Sequence, residues 1–444
     1  MKKFNQPAVY CFLFILFAGA IPAEAQVLKK LKKAAERTVE RKLEEKTVRE
    51  TSKVMDSVLN PGSGKTNGSN DRNRPSATGS QQGIGNQNAD NSGMADNEAA
   101  GSPESAKQAM KIYSASDWVA GKNLFLFDDF SSDEIGDFPK LWNTNSTGEI
   151  VTHSDSEYKW LKLYDDGTYQ PDLPRKLPED FTIEFDLKGW GLDEETAFSS
   201  YFTIYLTDGA RPLAQGRSYV QTTFPAYQRN RRDLNVYAYI DGQRQASGNL
   251  SFDIRKKMAE GTHFSISVKG QRFRLYMDGE KMIDYPRAIQ PGTIQGLLFK
   301  TAGLRNGKDH LLITNLRIAE GLPGSSEKLF TTGKFVTDAI QFDVNSSQLK
   351  PESYPTLRQI ANGLKSETEK KVLIVGHTDS DGEDAYNLDL SKKRAEAVKT
   401  ILKEEFGISP DRMTTDGKGE AQPVAANDSP LNKAKNRRTE FILQ

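Results

Sequence analysis

Between Asn60 and Ser105 the chain offers almost nothing that a folded core could use: Gly, Ser, Asn, Asp and Gln dominate, and Asn-Gly-like dipeptides recur. Ordering such a segment costs conformational entropy that its few apolar side chains cannot offset, so residues 60–105 are expected to form a disordered linker. As a Gly-rich coil of about 45 residues it has a root-mean-square reach of roughly 35–40 Å, which makes it a spacer rather than a site. At 444 residues the chain is too long for a single core to be the natural solution, and two or three domains are expected. Lys plus Arg and Asp plus Glu both number 60, so no global charge bias points to nucleic acid or to an anionic lipid surface. Any electrostatic function has to be local.

The first residues carry an export pattern. Lys2 and Lys3 form a basic start, Ala8 to Ala20 is an apolar run, and Ala23-Glu24-Ala25 supplies small residues around a cleavage point, so residues 1–25 read as a signal peptide and the mature chain starts at Gln26. The run is short for a membrane anchor and ends at the helix-breaking Pro22. Cys11, the single cysteine, lies inside this run and follows Val9-Tyr10 rather than the small residues of a lipoprotein signal. The mature chain is therefore expected to have no disulfide, thiol nucleophile or Cys-based zinc site. The four histidines, His153, His263, His310 and His377, show no paired metal-ligand spacing, and no metal or cofactor is expected. From 26 to 59, Leu28, Leu31, Ala35, Val39 and Leu43 recur at helical intervals among blocks of charge. This charged amphipathic helix suits solvent, a weak coiled coil or a membrane surface.

Residues 106–322 have the texture of an all-β sandwich. Phe264, Ile266 and Val268 alternate with polar residues, Lys269-Gly270 turns the chain, and Phe273, Leu275 and Met277 alternate again before Asp278-Gly279. Asp241-Gly242 follows another such run from Leu234 to Ile240, and 181–187 alternates in the same way. The segment from Ser265 to Lys281 resembles the concanavalin-like or laminin-G-like jelly-roll domains. That resemblance raises a hydrolase alternative, because some concanavalin-like folds carry a Glu-x-Asp-x-x-Glu strand signature. Here Glu184 and Asp186 are present but Gly189 stands where the third acid belongs. A glycan-binding platform of Tyr201, Tyr205, Tyr237, Tyr239 and Trp190 is a further alternative beside simple packing, and Asp128-Asp129 or Asp165-Asp166 would be the places to look for calcium.

After Gly321 the pattern changes to alternating strands and helices. Strands are expected at 339–342, 372–375, 413–415 and 439–443, with one helix from Pro351 to about Leu364 and a second that carries Ala395, Val398, Leu402 and Phe406 and stops at Gly407. This is a small α/β layer domain covering 325–444. The sequence here resembles the OmpA-like peptidoglycan-binding domain. The matching motifs are Ile340-Gln-Phe342 with Ser347-x-Leu349, Gly376-His-Thr-Asp379-Ser-x-Gly382, Asn387 through Val398, Gly417-Lys-Gly-Glu420-x-x-Pro423, and Asn436-Arg437-Arg438-x-Glu440.

Asp379 lies just beyond the carboxyl end of a buried strand, and Arg394 in the first or second turn of the helix after the following loop, so both can reach one edge of the sheet. A carboxylate and a guanidinium facing one cleft suit a zwitterion. The resemblance implies that this zwitterion is the diaminopimelate of a peptidoglycan stem peptide, bound by Asp379 and Arg394 with Asn387 from the loop. Asp343, Asn345 and Thr378 are expected to border the cleft. Read without the resemblance, Asp379 is more often a turn-former and Arg394 more often a solvated helix residue. Arg437 and Arg438 fit either ligand contact or structural pairing with Glu440 or Glu420, and His377 reads as a packing or hydrogen-bonding residue.

The expectation is thus a multidomain, non-catalytic envelope protein of the periplasm, associated with the outer membrane, whose partner is peptidoglycan. The sandwich would be a tethered binding module for a glycan or an outer-membrane protein. Its strands are too broken and too charged for a membrane barrel.

Overall fold

The computed structural model describes residues 115–153, 158–227, 233–322, 330 and 332–444. The expected signal peptide, charged helix and linker lie outside the described residues. The described residues form one compact unit, which holds two large and separate hydrophobic cores.

The first core lies between two antiparallel sheets. One runs, in spatial order, through the strands Glu280–Tyr285, Arg272–Met277, Thr262–Lys269, Asp180–Trp190, His310–Glu320, Lys159–Leu163 and Gly148–Thr152, with Asn123–Asp128 also paired to His310–Glu320. The other runs through Gln243–Leu250, Leu234–Ile240, Tyr219–Pro225, Tyr201–Thr207, Gly296–Ala302, Thr168–Pro171 and Trp142–Thr144. Period-two alternation places Phe181, Ile183, Phe185 and Leu187 inward. There Phe185 stacks on Phe264 at 5.0 Å and meets Phe299 edge-on at 5.1 Å. The Asp-Gly hairpins form as the sequence indicates: Asp241 and Gly242 take φ of 49° and 78°, and Asp278 and Gly279 take 46° and 76°, the left-handed pair that two-residue hairpin turns require.

The first sheet departs from simple alternation, because its outward residues are buried as well. Thr182, Glu184, Ser265, Ser267 and Arg317 are all inaccessible although they point away from the sandwich core. Thr182 is covered by the backbone of Gly121, whose N–H it accepts at 3.0 Å, and Arg317 pairs with Asp338 of the C-terminal domain, which packs on this face.

That domain is a four-stranded sheet ordered Lys334–Thr337, Thr439–Leu443, Val372–Gly376, Met413–Gly417, with only the last pair parallel. The helices Tyr354–Ser366 and Asp384–Glu404 pack Leu357, Ile360, Leu364, Ala395, Val398 and Leu402 against Val372, Ile374, Met413 and Phe441. Gly407, at φ 68°, ends the long helix by donating to Lys403, while Ile408 donates back to Leu402.

Three expectations change. The edge strand is Lys334–Thr337, whereas 339–342 forms only an isolated bridge from Phe342 to Leu349. The Ser353 hydroxyl takes up both the N–H and the C=O of Gln341 at 2.8 and 3.0 Å, and Lys350 N also donates to that carbonyl, so no ladder continues there. The long helix starts at Asp384, with Asn387 N already donating to Glu383 O at 2.9 Å, so Arg394 sits in its third turn and not near its start. A third helix, Pro430–Asn436, was not foreseen, although Ser429 before Pro430 is an N-cap signature and accepts from Asn432 N.

Candidate functional site

The strand Val372–Gly376 delivers Asp379 to the rim of the sheet three residues past its end, and the long helix runs back beside it. The approach is close because two glycines permit it. A Cβ on Gly376 would lie 2.3 Å from Ser391 O, and one on Gly417 would lie 2.4 Å from Lys392 N. Asp379 and Arg394 both line a cleft of about 380 Å³, so the pair that the sequence selects is brought together. Thr378, Asn387, Asp343 and Asn345 line the same cleft.

Each has a definable task. Asp379 is 7% exposed, accepts from Asp381 N on Oδ1 at 3.2 Å and receives Arg437 Nη1 on Oδ2 at 2.5 Å. Arg394 donates from Nε to Ser346 O at 2.9 Å and lies 5.0 Å over the Phe342 ring. Its two terminal nitrogens have no protein acceptor among the described residues. Burial, together with the nearby charge of Arg437, pushes the Arg394 pKa down to about 10, with Asp379 opposing. The guanidinium remains charged at neutral pH but lacks a full counter-charge, which an incoming carboxylate would supply.

Asn387 is buried, and its amide nitrogen holds Asp379 O, Asp381 O and Glu420 Oε2 at 3.3, 3.1 and 2.6 Å. It therefore shapes the loop that presents Asp379. Asp343 and Asn345 form the tight loop opposite, in which Asn345 adopts φ 52° and its carbonyl accepts from Tyr386 Oη. Thr378 Oγ1 is buried with no hydrogen-bond partner among the described residues. His377 is buried, with no hydrogen-bond partner on either ring nitrogen among the described residues although Glu440 lies 3.6 Å from Nε2, and burial followed by the charge of Arg438 lowers its pKa to about 4, so the ring is neutral.

The arginine pairings differ from those weighed in the sequence. Arg438 does bond Glu440, at 2.8 to 2.9 Å, but Arg437 pairs with Asp379. Sequence reading also missed the residues that the sandwich contributes. Phe127, Asp129, Tyr158, Lys159, Asn315 and Arg317 line the cleft from the other side. Arg437 is 3.9 Å from Asp129 and 5.2 Å above the Phe127 ring. No local motif marks these positions, because their role arises only when the two domains meet.

The two domains meet through apolar and ionic contacts. Ala434 of the helix Pro430–Asn436 packs on Leu124 and Ala319 of the sandwich, and Trp118 and Tyr276 close on Ala339. Between these contacts Arg317 pairs with Asp338 and, at 3.3 Å, with Glu184. His263 Nδ1 meets Asp186 at 2.7 Å and its Nε2 lies 3.5 Å from Glu184. Glu184 and Asp186, the two acids of the incomplete hydrolase pattern, are thus engaged in ion pairs at a covered face. Of the candidate aromatic platform, Tyr205 is buried and Tyr239 stacks on Tyr219 at 4.8 Å, while Trp190 is 49% exposed and packs against His153. Asp128 accepts from Trp142 Nε1 and Phe130 N, and Asp165 from Leu304 N. Among the described residues no helix is long and apolar enough to cross a membrane.

A model of the OmpA family matches residues 341–437. The outer membrane porin F of Pseudomonas fluorescens is 42% identical over 105 residues, which cover 24% of this chain and 32% of that protein. The peptidoglycan-associated lipoprotein of Buchnera aphidicola is 36% identical over 107 residues, covering 24% of this chain and 61% of that protein. Among solved structures, the peptidoglycan-associated lipoprotein from Burkholderia pseudomallei is 35% identical, covering 24% of this chain and 88% of the other, at a TM-score of 0.22. The chain spans less than two thirds of the length of both curated relatives.

Proposed function

Because residues 341–437 are an OmpA family domain preceded by a β-sandwich, we propose that the chain is a non-catalytic cell-envelope protein that binds peptidoglycan through this domain. Its relatives include proteins named peptidoglycan-associated lipoprotein, which supports that direction. The ligand group is the diaminopimelate of the stem peptide, whose side-chain end carries an ammonium and a carboxylate on one carbon. One observation carries the reading: Asp379 and Arg394 line the same cleft, and Arg394 retains N–H groups with no protein acceptor among the described residues. The carboxylate of the zwitterion takes the Arg394 fork and its ammonium takes Asp379, with the unpartnered Thr378 hydroxyl at hand. Two charge-assisted contacts of roughly 1.5–3 kcal/mol each support weak, reversible binding suited to a wall that is continually remodelled. The protein is exported and held at the periplasmic side of the outer membrane.

The test is co-sedimentation of the full chain with diaminopimelate-type sacculi. Asp379→Ala and Arg394→Ala should each abolish it; undiminished binding by both would overturn the assignment.

A further inference from the structure

Within the cleft Asp379 already has partners. Arg437 Nη1 sits on its Oδ2 at 2.5 Å and Asp381 N on its Oδ1, so an arriving ammonium must displace a guanidinium from a mostly buried carboxylate. Such a displacement is costly unless the arginine has another acceptor close by. The sandwich provides one. Arg437 Nη2 lies 3.9 Å from Asp129 Oδ2, and the guanidinium already sits over the Phe127 ring at 5.2 Å.

Asp129 is also held in place. Its own Oδ1 accepts from Ser131 N at 3.1 Å. Its neighbours Asp128 and Phe130 are buried, with Phe130 at φ 58° and its N–H bonded to the Asp128 carboxylate at 3.0 Å. The turn therefore presents Asp129 Oδ2 to the cleft as a fixed acceptor. On the opposite side Arg437 follows directly on the helix Pro430–Asn436, which Ala434 docks against Leu124 and Ala319. Arginine and acceptor are thus positioned by the same contact between domains.

We propose that Asp129, seated beside Phe127, is a positioning residue for ligand binding: it receives Arg437 when the ligand ammonium takes Asp379. This rests on the zwitterion reading of the cleft and adds to it that the sandwich is part of the binding site. The exchange conserves charge pairing. Before binding, Asp379 holds Arg437; afterwards Asp379 holds the ammonium, Asp129 holds Arg437, and the ligand carboxylate holds Arg394. Phe127 gives the guanidinium a face to slide along.

The experiment is a double-mutant cycle on the full chain, with affinity for diaminopimelate-type sacculi and for free meso-diaminopimelate as readouts. Asp129→Asn keeps the Oδ1 acceptor for Ser131 and removes the charge. It should weaken binding about fivefold, the scale of a partly exposed ion pair. In an Arg437→Ala background the same substitution should have no further effect, because there is no arginine to receive. Wild-type affinity for Asp129→Asn, or an equal loss with and without Arg437, would overturn the proposal. Asp379→Ala measured alongside separates the two readings. If it still binds, the zwitterion assignment itself fails; if it does not while Asp129→Asn binds normally, only the role of the sandwich fails.

Discussion

Replacing Arg317 by Met tests whether the two domains are held together by a buried charge or merely lie in contact. Arg317 and Glu184 have side chains that are 4% and 3% exposed, and Asp338 is 14% exposed. Burial opposes the guanidinium charge, yet Asp338 and Glu184 outweigh it and the Arg317 pKa is raised. Met fills similar volume, so the main consequence is two acids left without their cation. Removing one partner of a buried pair costs about 3–5 kcal/mol. His263, 3.5 Å from Glu184, offers partial replacement, and Asp338 has some access to water, so the expected cost is about 3 kcal/mol. At a urea m-value of about 2–3 kcal/mol/M, the midpoint of the full chain should fall by about 1 M or more. Amide exchange should accelerate first at 315–318 and 338–342. Adding Glu184→Gln should recover part of the loss by removing one orphaned charge. A cost below about 1 kcal/mol, or no recovery in the double variant, would refute the argument that this pair is desolvated at the domain contact.

Four further outcomes follow from the same structure. Burial alone would lower the pKa of His263, but its hydrogen bond to Asp186 and the Glu184 carboxylate 3.5 Å away raise it well above the usual value. The contribution of His263 should therefore be fully present below about pH 6.5 and fade as pH rises through the folded pKa, so the stability gap between wild type and His263→Gln should narrow in alkali. Gly376→Ala drives a Cβ to 2.3 Å from Ser391 O and should weaken sacculus binding while touching neither Asp379 nor Arg394. Gly407→Ala, which meets no atom but has φ 68°, should cost about 1 kcal/mol and leave binding intact. Arg394→Lys keeps the charge but loses the planar fork and should reduce affinity for meso-diaminopimelate by about 10- to 100-fold in calorimetry, with loss under about twofold counting against bidentate recognition.

Much of the fold was legible where local chemistry and tertiary structure agree. Asp241-Gly242 and Asp278-Gly279 define hairpins because their backbone requirement is local, and the inward face of 181–187 follows from period-two spacing. The Asp379 and Arg394 pair was legible because one strand end and one helix deliver it. The errors have physical causes of the same kind. The segment 339–342 has strand-forming residues, but the Ser353 hydroxyl and Lys350 N satisfy Gln341 from 12 and nine residues away. The sequence suggests a later helix start because Glu383, Asp384, Asn387 and Asp389 look like loop residues when their packing is not known.

What no local pattern could carry is the choice of which polar faces become interior. Glu184 and Asp186 sit at alternate positions of a strand whose outer face reads as solvent-exposed. Both are instead committed to partners across the sheet, Glu184 to Arg317 and Asp186 to His263 and Asn315. Covering that face has a consequence for function. A domain tethered by a flexible linker could bind a ligand without reference to its neighbour, but separating these two domains would leave Asp338 without the sandwich's Arg317 and expose the apolar contacts of Trp118 and Ala434. The sandwich is thereby fixed where Asp129 and Phe127 face Arg437, so under the proposed exchange a substitution at Asp129 is expected to alter ligand affinity at a site that the sequence assigns wholly to the C-terminal domain.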